Sequence, residues 1–362
     1  MGEKKNIRNY RLFCMVLAAA CFYSASCMAE NTGKAKADPY YICGPKEDRE
    51  TLTSLFTLLD KGNSGTDIER FAVILEIANN YIHQKEYAVL INFLTSMINL
   101  RPHDTYNTYY LFMTAYAYIQ EEAYPAAALY FNMIIKNYPD MTVMGESIHL
   151  ACFNQLIHTI NNPEQQVWYY EELISRFPDN IDLGAAYFLL AQAYEKTGEW
   201  NNAIRSYTQY RDYIDLSVVP GFPNAGVYAK ELLDFNQSPK NWAFESLNSM
   251  VNTVKRALDD GSPWELEQCR AKINFFARTW EMEAADDKGM ADFDLSSFMH
   301  GSQILYNAGI DAGSTANEAY LRTWGWENIS TWYFYFRKIY FPADPQIHGR
   351  WEWAGIYYGE KF

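Results

Sequence analysis

The side chains that could do chemistry fall into three groups, and spacing disposes of two. The histidines, His83, His103, His149, His158, His300 and His348, form no HExxH pair and no zinc-ligand spacing. The acidic stretch Glu281, Glu283, Asp286, Asp287, Asp292 and Asp294 is dense enough to suggest calcium. A calcium loop sets its ligands at alternating positions around a glycine at the sixth. Asp286-Asp287-Lys288-Gly289 misses that register, so the stretch reads as a solvated loop. No GxSxG, Walker A or GxGxxG motif stands in the chain. The sequence therefore assigns no catalytic group, no metal and no cofactor. Asn328-Ile329-Ser330 is a glycosylation sequon in form, with meaning only in a eukaryotic secretory route.

The third group is aromatic: Trp324, Trp326, Trp332, Tyr333, Tyr335, Trp351, Trp353, Tyr357 and Tyr358. Rings at this density either fill a sheet core or form a flat surface for stacking on sugars or a partner. The core is the favoured reading, with an aromatic surface of Trp324, Trp326, Trp332, Trp351 and Trp353 as the alternative.

Composition bounds the elements that must hold these groups. The 362 residues carry 30 Lys+Arg against 44 Asp+Glu, a net charge of −14, and are 49% hydrophobic. That excludes a disordered chain and argues against nucleic acid, whose phosphates are met by Lys and Arg. The N-terminus sets Lys4, Lys5, Arg8 and Arg11 ahead of an apolar run from Leu12 to Ala29. This is the order of a secretory signal, so residues 1–29 are expected to direct export. The run holds 18 residues, including Ser24 and Ser26, which is short for a retained membrane anchor. The segment also resembles a bacterial lipoprotein signal, which implies lipidation at Cys21 or Cys27 and a periplasmic or membrane-anchored protein. A membrane surface is then a partner only through the lipid. Beyond it lie Cys43, Cys152 and Cys269, so at most one disulfide can form.

A repeat with a period near 37 follows. Ile74-x2-Ile77-Ala78-x2-Tyr81, Leu111-x2-Thr114-Ala115-x2-Tyr118 and Tyr187-x2-Leu190-Ala191-x2-Tyr194 share one pattern. Each Tyr is followed 13 residues later by Leu94, Phe131 or Tyr207. Pro102, Pro139 and Pro178 close units 37 and 39 residues apart, and Leu150, Phe153, Ile157 and Tyr170 mark a degraded unit between the second and the last. A small alanine lets two helices approach, the tyrosine three residues on fills the adjacent space, and proline stops the second helix.

This pattern resembles the tetratricopeptide repeat (TPR) family over about residues 71–217. The resemblance implies helix-turn-helix units stacked into a solenoid, with the first helix of each unit lining a concave face. It places Asn79, Tyr109, Phe112, Tyr116, Gln155, His158, Gln192 and Glu195 in that groove, where aromatic and amide groups suit an extended peptide or an apolar helix. Residues 46–70 are expected to cap the array, and 218–240 to form a linker and a capping helix.

Residues 241–362 read as an α+β domain in which two helices cover an aromatic-rich antiparallel sheet. Leu247, Val251, Val254 and Leu258 form one helical stripe. Ser262-Pro263-Trp264-Glu265 opens a second, through Leu266, Cys269, Ile273, Phe276 and Trp280. Strands are expected at Asp294–Met299, Gln303–Ile310, Ala319–Trp326, Thr331–Phe341 and Arg350–Tyr358. The fold class is mainly α. The expected function is a non-catalytic envelope scaffold binding another protein or peptide through the groove. The alternative is an accessory protein with a ligand or glycan pocket between the repeats and the aromatic domain.

Overall fold

The computed structural model describes residues 38–61, 66–281, 295–299, 303–327 and 329–361. The signal segment with Cys21 and Cys27, Asn328 of the sequon, His300 and the acidic stretch after Glu281 lie outside the described residues. The chain divides into two compact units, Met1–Ile181 and Asp182–Phe362. The division falls inside the expected repeat array, between its third and fourth units.

In the first unit, helix α1 (Lys46–Lys61) precedes three helical hairpins: α2 (Asp67–Gln84) with α3 (Tyr87–Leu100), α4 (Asn107–Gln120) with α5 (Tyr124–Asn137), and α6 (Ile148–Thr159) with α7 (Pro163–Arg176). A two-residue ribbon, β1 (Thr142–Val143) with β2 (Glu146–Ser147), joins α5 to α6. A capping box between Thr66 and Glu69 starts α2, so the first hairpin begins at Asp67. Helices α3, α5 and α7 each end two residues before Pro102, Pro139 or Pro178, because a residue preceding proline is driven out of the α region. Ala78 and Ala115 are fully buried, as are Tyr81, Leu94 and Phe131. The Arg70 guanidinium, 5% exposed, reaches from α2 to Asp104 at 2.8 Å and ties the first hairpin to the loop before α4. Beside it, Phe71 stacks on Tyr106 at 4.1 Å. His149 is buried with Nε2 at the Tyr138 carbonyl and Nδ1 facing Arg176. Burial holds this imidazole below its ordinary pKa, so it serves as a neutral structural link.

The second unit begins with a fourth hairpin, α8 (Leu183–Thr197) and α9 (Trp200–Tyr210), turned by Gly198 at φ +80°. Ala191 and Tyr207 are fully buried in it. Helices α10 (Ala225–Gln237), α11 (Leu247–Asp259) and α12 (Pro263–Cys269) follow. Strand β3 (Phe276–Thr279) and a short helix α13 (Leu295–Met299) lead to β4 (Leu305–Tyr306), β5 (Glu318–Trp324), β6 (Thr331–Lys338) and β7 (Trp351–Tyr358). These five strands form one sheet in the order β3-β7-β6-β5-β4. It is antiparallel throughout except for β3, which lies parallel to β7.

Three local expectations change. The helix opened by Ser262 ends at Cys269 rather than running to Trp280, because Ala271 donates to the Trp353 carbonyl and the chain enters the sheet as β3. Phe276 can lie there because Gly355 opposite has no side chain: a Cβ would stand 2.6 Å from the Phe276 ring. The strand expected at Asp294–Met299 is the helix Leu295–Met299, with Leu295 and Met299 in the core. The one expected at Gln303–Ile310 shrinks to Leu305–Tyr306, which leaves β4 as a short edge.

The aromatic surface is also corrected. Trp326 and Trp332 stack at 4.0 Å, and Phe334 stacks on Trp353 at 4.4 Å. Met250, Val251, Val254, Ala257 and Leu258 of α11 join the same core. Trp326, Trp332, Trp351 and Trp353 are at most 7% exposed and cannot stack on a ligand. Trp324 alone of the five is half-buried, on the other face, with the Arg322 guanidinium 5.2 Å from its ring.

Ala115 and Ala191 report on the repeat packing. Replacing either with leucine is expected to overpack its site and cost about 1–3 kcal/mol. Urea denaturation should show earlier midpoints, and unchanged midpoints for both would place these alanines away from tight contacts.

Candidate functional site

Three positions of α8 share one face: Phe188, Gln192 and Glu195 are spaced by four and three residues. Helix α9 brings Tyr207 against them. The chain then passes the 3₁₀ turn Arg211–Tyr213 and a loop whose Pro220, Gly221 and Pro223 forbid a helix, before α10 presents Tyr228. Asp182, the N-cap of α8, accepts from Ser217 at 2.5 Å and fixes where this loop begins.

The result is a cleft of about 280 Å³ lined by Phe188, Gln192, Gly221, Phe222, Pro223, Asn224, Ala225 and Tyr228. Phe188 is its buried floor, 5.2 Å from Phe222 and 6.4 Å from Tyr228. Phe222 and Tyr228 form the rim, 39% and 41% exposed. Earlier in the same loop, Leu216 and Val218 are among the most exposed apolar side chains described, at 81% and 84%.

Behind the cleft runs a polar chain. The Gln192 amide donates to the Tyr207 hydroxyl. Tyr207 donates to Glu195 Oε1 at 2.7 Å, and Tyr228 donates to the same oxygen at 2.9 Å. Burial pushes Glu195 above the ordinary carboxylate value, against the two hydroxyl bonds that draw it down. Burial, with the Glu195 charge added, also pushes both tyrosines up, so they stay protonated as donors. The cleft's aromatic floor and rim, with a few polar groups, have the make-up of a recognition site.

Two of the eight expected groove residues, Gln192 and Glu195, meet here. Tyr109, Phe112 and Tyr116 do not line a groove. Twelve of the fourteen residues of α4 are buried, and these three are at most 1% exposed. Tyr109 packs edge-on to Phe71 at 5.7 Å, Phe112 on Phe131 at 6.1 Å and Tyr116 on Tyr87 at 6.4 Å. Helix α4 sits between α3, α5 and α6, which leaves it no open face. Gln155 is also buried, and Asn79 is half-buried with its amide atoms enclosed. His158 is exposed near the end of α6. Phe188, Phe222 and Tyr228 were missed. For Phe222 the signal is the breaker cluster SVVPGFPN, whose single ring stands among residues that forbid a helix; Phe188 and Tyr228 lie on α8 and α10 with no local signal of their own.

Among the described residues, no group of three His, Cys, Asp or Glu is placed to hold a metal, and no helix is long and apolar enough to cross a membrane. Cys43, Cys152 and Cys269 are unbridged, the last two buried.

No curated protein and no solved structure matches the chain. The family model for the tetratricopeptide repeat matches residues 109–140 and 185–213. These segments fall on the hairpins α4–α5 and α8–α9, whose alanine, tyrosine and terminal spacing the sequence repeats. By match and by geometry alike, the second and fourth hairpins of this chain resemble tetratricopeptide repeats.

Proposed function

We propose that this protein is a non-catalytic scaffold of the cell envelope that holds a partner protein at its fourth repeat. Tetratricopeptide repeats point to protein partners in general. The observation that carries the finer reading is the cleft between α8, the 217–224 loop and α10. It joins a buried aromatic floor to two exposed rings and an amide. An interface anchor has this form, with an apolar pocket and a few polar groups to set orientation. Placement in the envelope rests on the basic and apolar order of residues 1–29, with Cys21 or Cys27 as the lipid attachment point.

The test has two arms. Mass spectrometry of the native protein should find at least the first 20 residues removed; an intact, unmodified Met1–Ala29 in a cytosolic fraction would reject export. Pull-down from envelope extract should yield a stoichiometric partner. Its affinity for Phe222→Ala or Tyr228→Ala should fall at least tenfold, since truncating an aromatic anchor costs about 2 kcal/mol or more. Undiminished affinity in both folded variants would remove the cleft from the interface.

A further inference from the structure

We propose that the cleft of the fourth repeat receives a basic side chain, lysine or arginine, from the partner. This rests on the scaffold reading and gives the partner its chemistry.

Three observations carry it. The first is a half-buried carboxylate with no ion pair. Both oxygens of Glu195 accept from Tyr228, at 2.9 and 3.1 Å, and Oε1 also accepts from Tyr207. Among the described residues no cation forms an ion pair with it; the neighbouring Lys196 is exposed and acts on it only through space. A carboxylate withdrawn from water in this way gains from an arriving cation.

The second is the direction of the donors. Gln192 spends an amide hydrogen on Tyr207, and Tyr207 and Tyr228 spend their hydroxyl hydrogens on Glu195. The second Gln192 amide hydrogen faces the Tyr228 hydroxyl, so what Gln192 and Tyr228 keep for a ligand is mainly acceptor capacity: the amide oxygen and the remaining hydroxyl lone pair. Three of the walls, Phe188, Phe222 and Tyr228, are rings whose faces carry negative electrostatic potential; Gly221, Pro223 and Ala225 add no charge, and Asn224 adds a neutral amide. The cleft is thus electron-rich at its rings and on the side where Tyr228 meets Glu195.

The third is shape. A lysine or arginine can lay its methylene stem along Phe222 and the Phe188 floor while its charged head meets Tyr228 over Glu195. An uncharged apolar side chain would cover the same rings but would bury the acceptors and the carboxylate without compensation. The net charge of −14 favours the approach of a basic segment at long range.

The experiment titrates the full chain, with ¹³C-labelled Phe and Tyr, against three blocked amino acids: Nα-acetyl-lysine, -arginine and -norleucine methylamides. Lysine or arginine should shift the Phe222 and Tyr228 resonances at concentrations at least tenfold lower than norleucine. Glu195→Gln, which keeps an acceptor for both tyrosines, should abolish that preference while leaving the thermal transition in place. If norleucine binds as well as the charged probes, the basic side chain is rejected and the scaffold reading stands. Charged-probe binding unchanged in Glu195→Gln would reject it too. If no probe shifts these rings, the proposal also fails, and retained partner affinity in Phe222→Ala would then remove the scaffold reading of this cleft as well.

Discussion

The double substitution Tyr109→Ala and Tyr116→Ala is expected to unfold the first unit rather than to empty a groove. Each ring is 1% exposed and packed against an aromatic neighbour, Phe71 or Tyr87. Truncating a buried aromatic residue to alanine costs about 3–5 kcal/mol, through lost transfer energy and the cavity left behind. Two such losses on one helix compare with a whole domain's stability of about 5–15 kcal/mol. Urea titration followed by far-ultraviolet circular dichroism should show the helical transition of the first unit at far lower denaturant, or absent. A wild-type midpoint would mean that the two rings face solvent.

Trp353→Ala should do comparable damage to the second unit. Trp353 is fully buried, stacks on Phe334 at 4.4 Å, meets Phe275 edge-on at 5.2 Å and donates from Nε1 to the Gly355 carbonyl at 2.9 Å. Removal leaves a ring-sized cavity at the centre of the sheet, and the expected cost is again about 3–5 kcal/mol. Near-ultraviolet circular dichroism, which reports the packed tryptophans, should lose intensity at lower urea than in the wild type. Trp353→Phe should recover much of the loss, because the stacked ring is kept and only part of the volume is missing. An unchanged transition in Trp353→Ala would return Trp353 to the surface and reopen an aromatic binding face in this unit.

The sequence by itself determined the hairpins. Ala78, Ala115 and Ala191 each stand three residues before a tyrosine, and Pro102, Pro139 and Pro178 follow the helices they end. These are short-range constraints: the spacing defines which side of each helix is apolar, and proline acts on the residues beside it. The stripe of α11 was legible for the same reason. Periodicity names the apolar side of an element but not what covers the other side. Helix α4 is enclosed because α3, α5 and α6 surround it, so residues that a repeat's phasing assigns to a groove became core. The segment 270–280 keeps helical spacing of its apolar residues, yet it leaves the helix and forms a strand at Phe276–Thr279. Strand β7 offered it an unfilled edge, and Gly355 made room for Phe276. The cleft was least legible of all. Glu195 acquires its role only when Tyr228, 33 residues downstream, folds back to donate to it. A local pattern carries no information about a bond that long loop closure creates, and in this protein that bond shapes the candidate site.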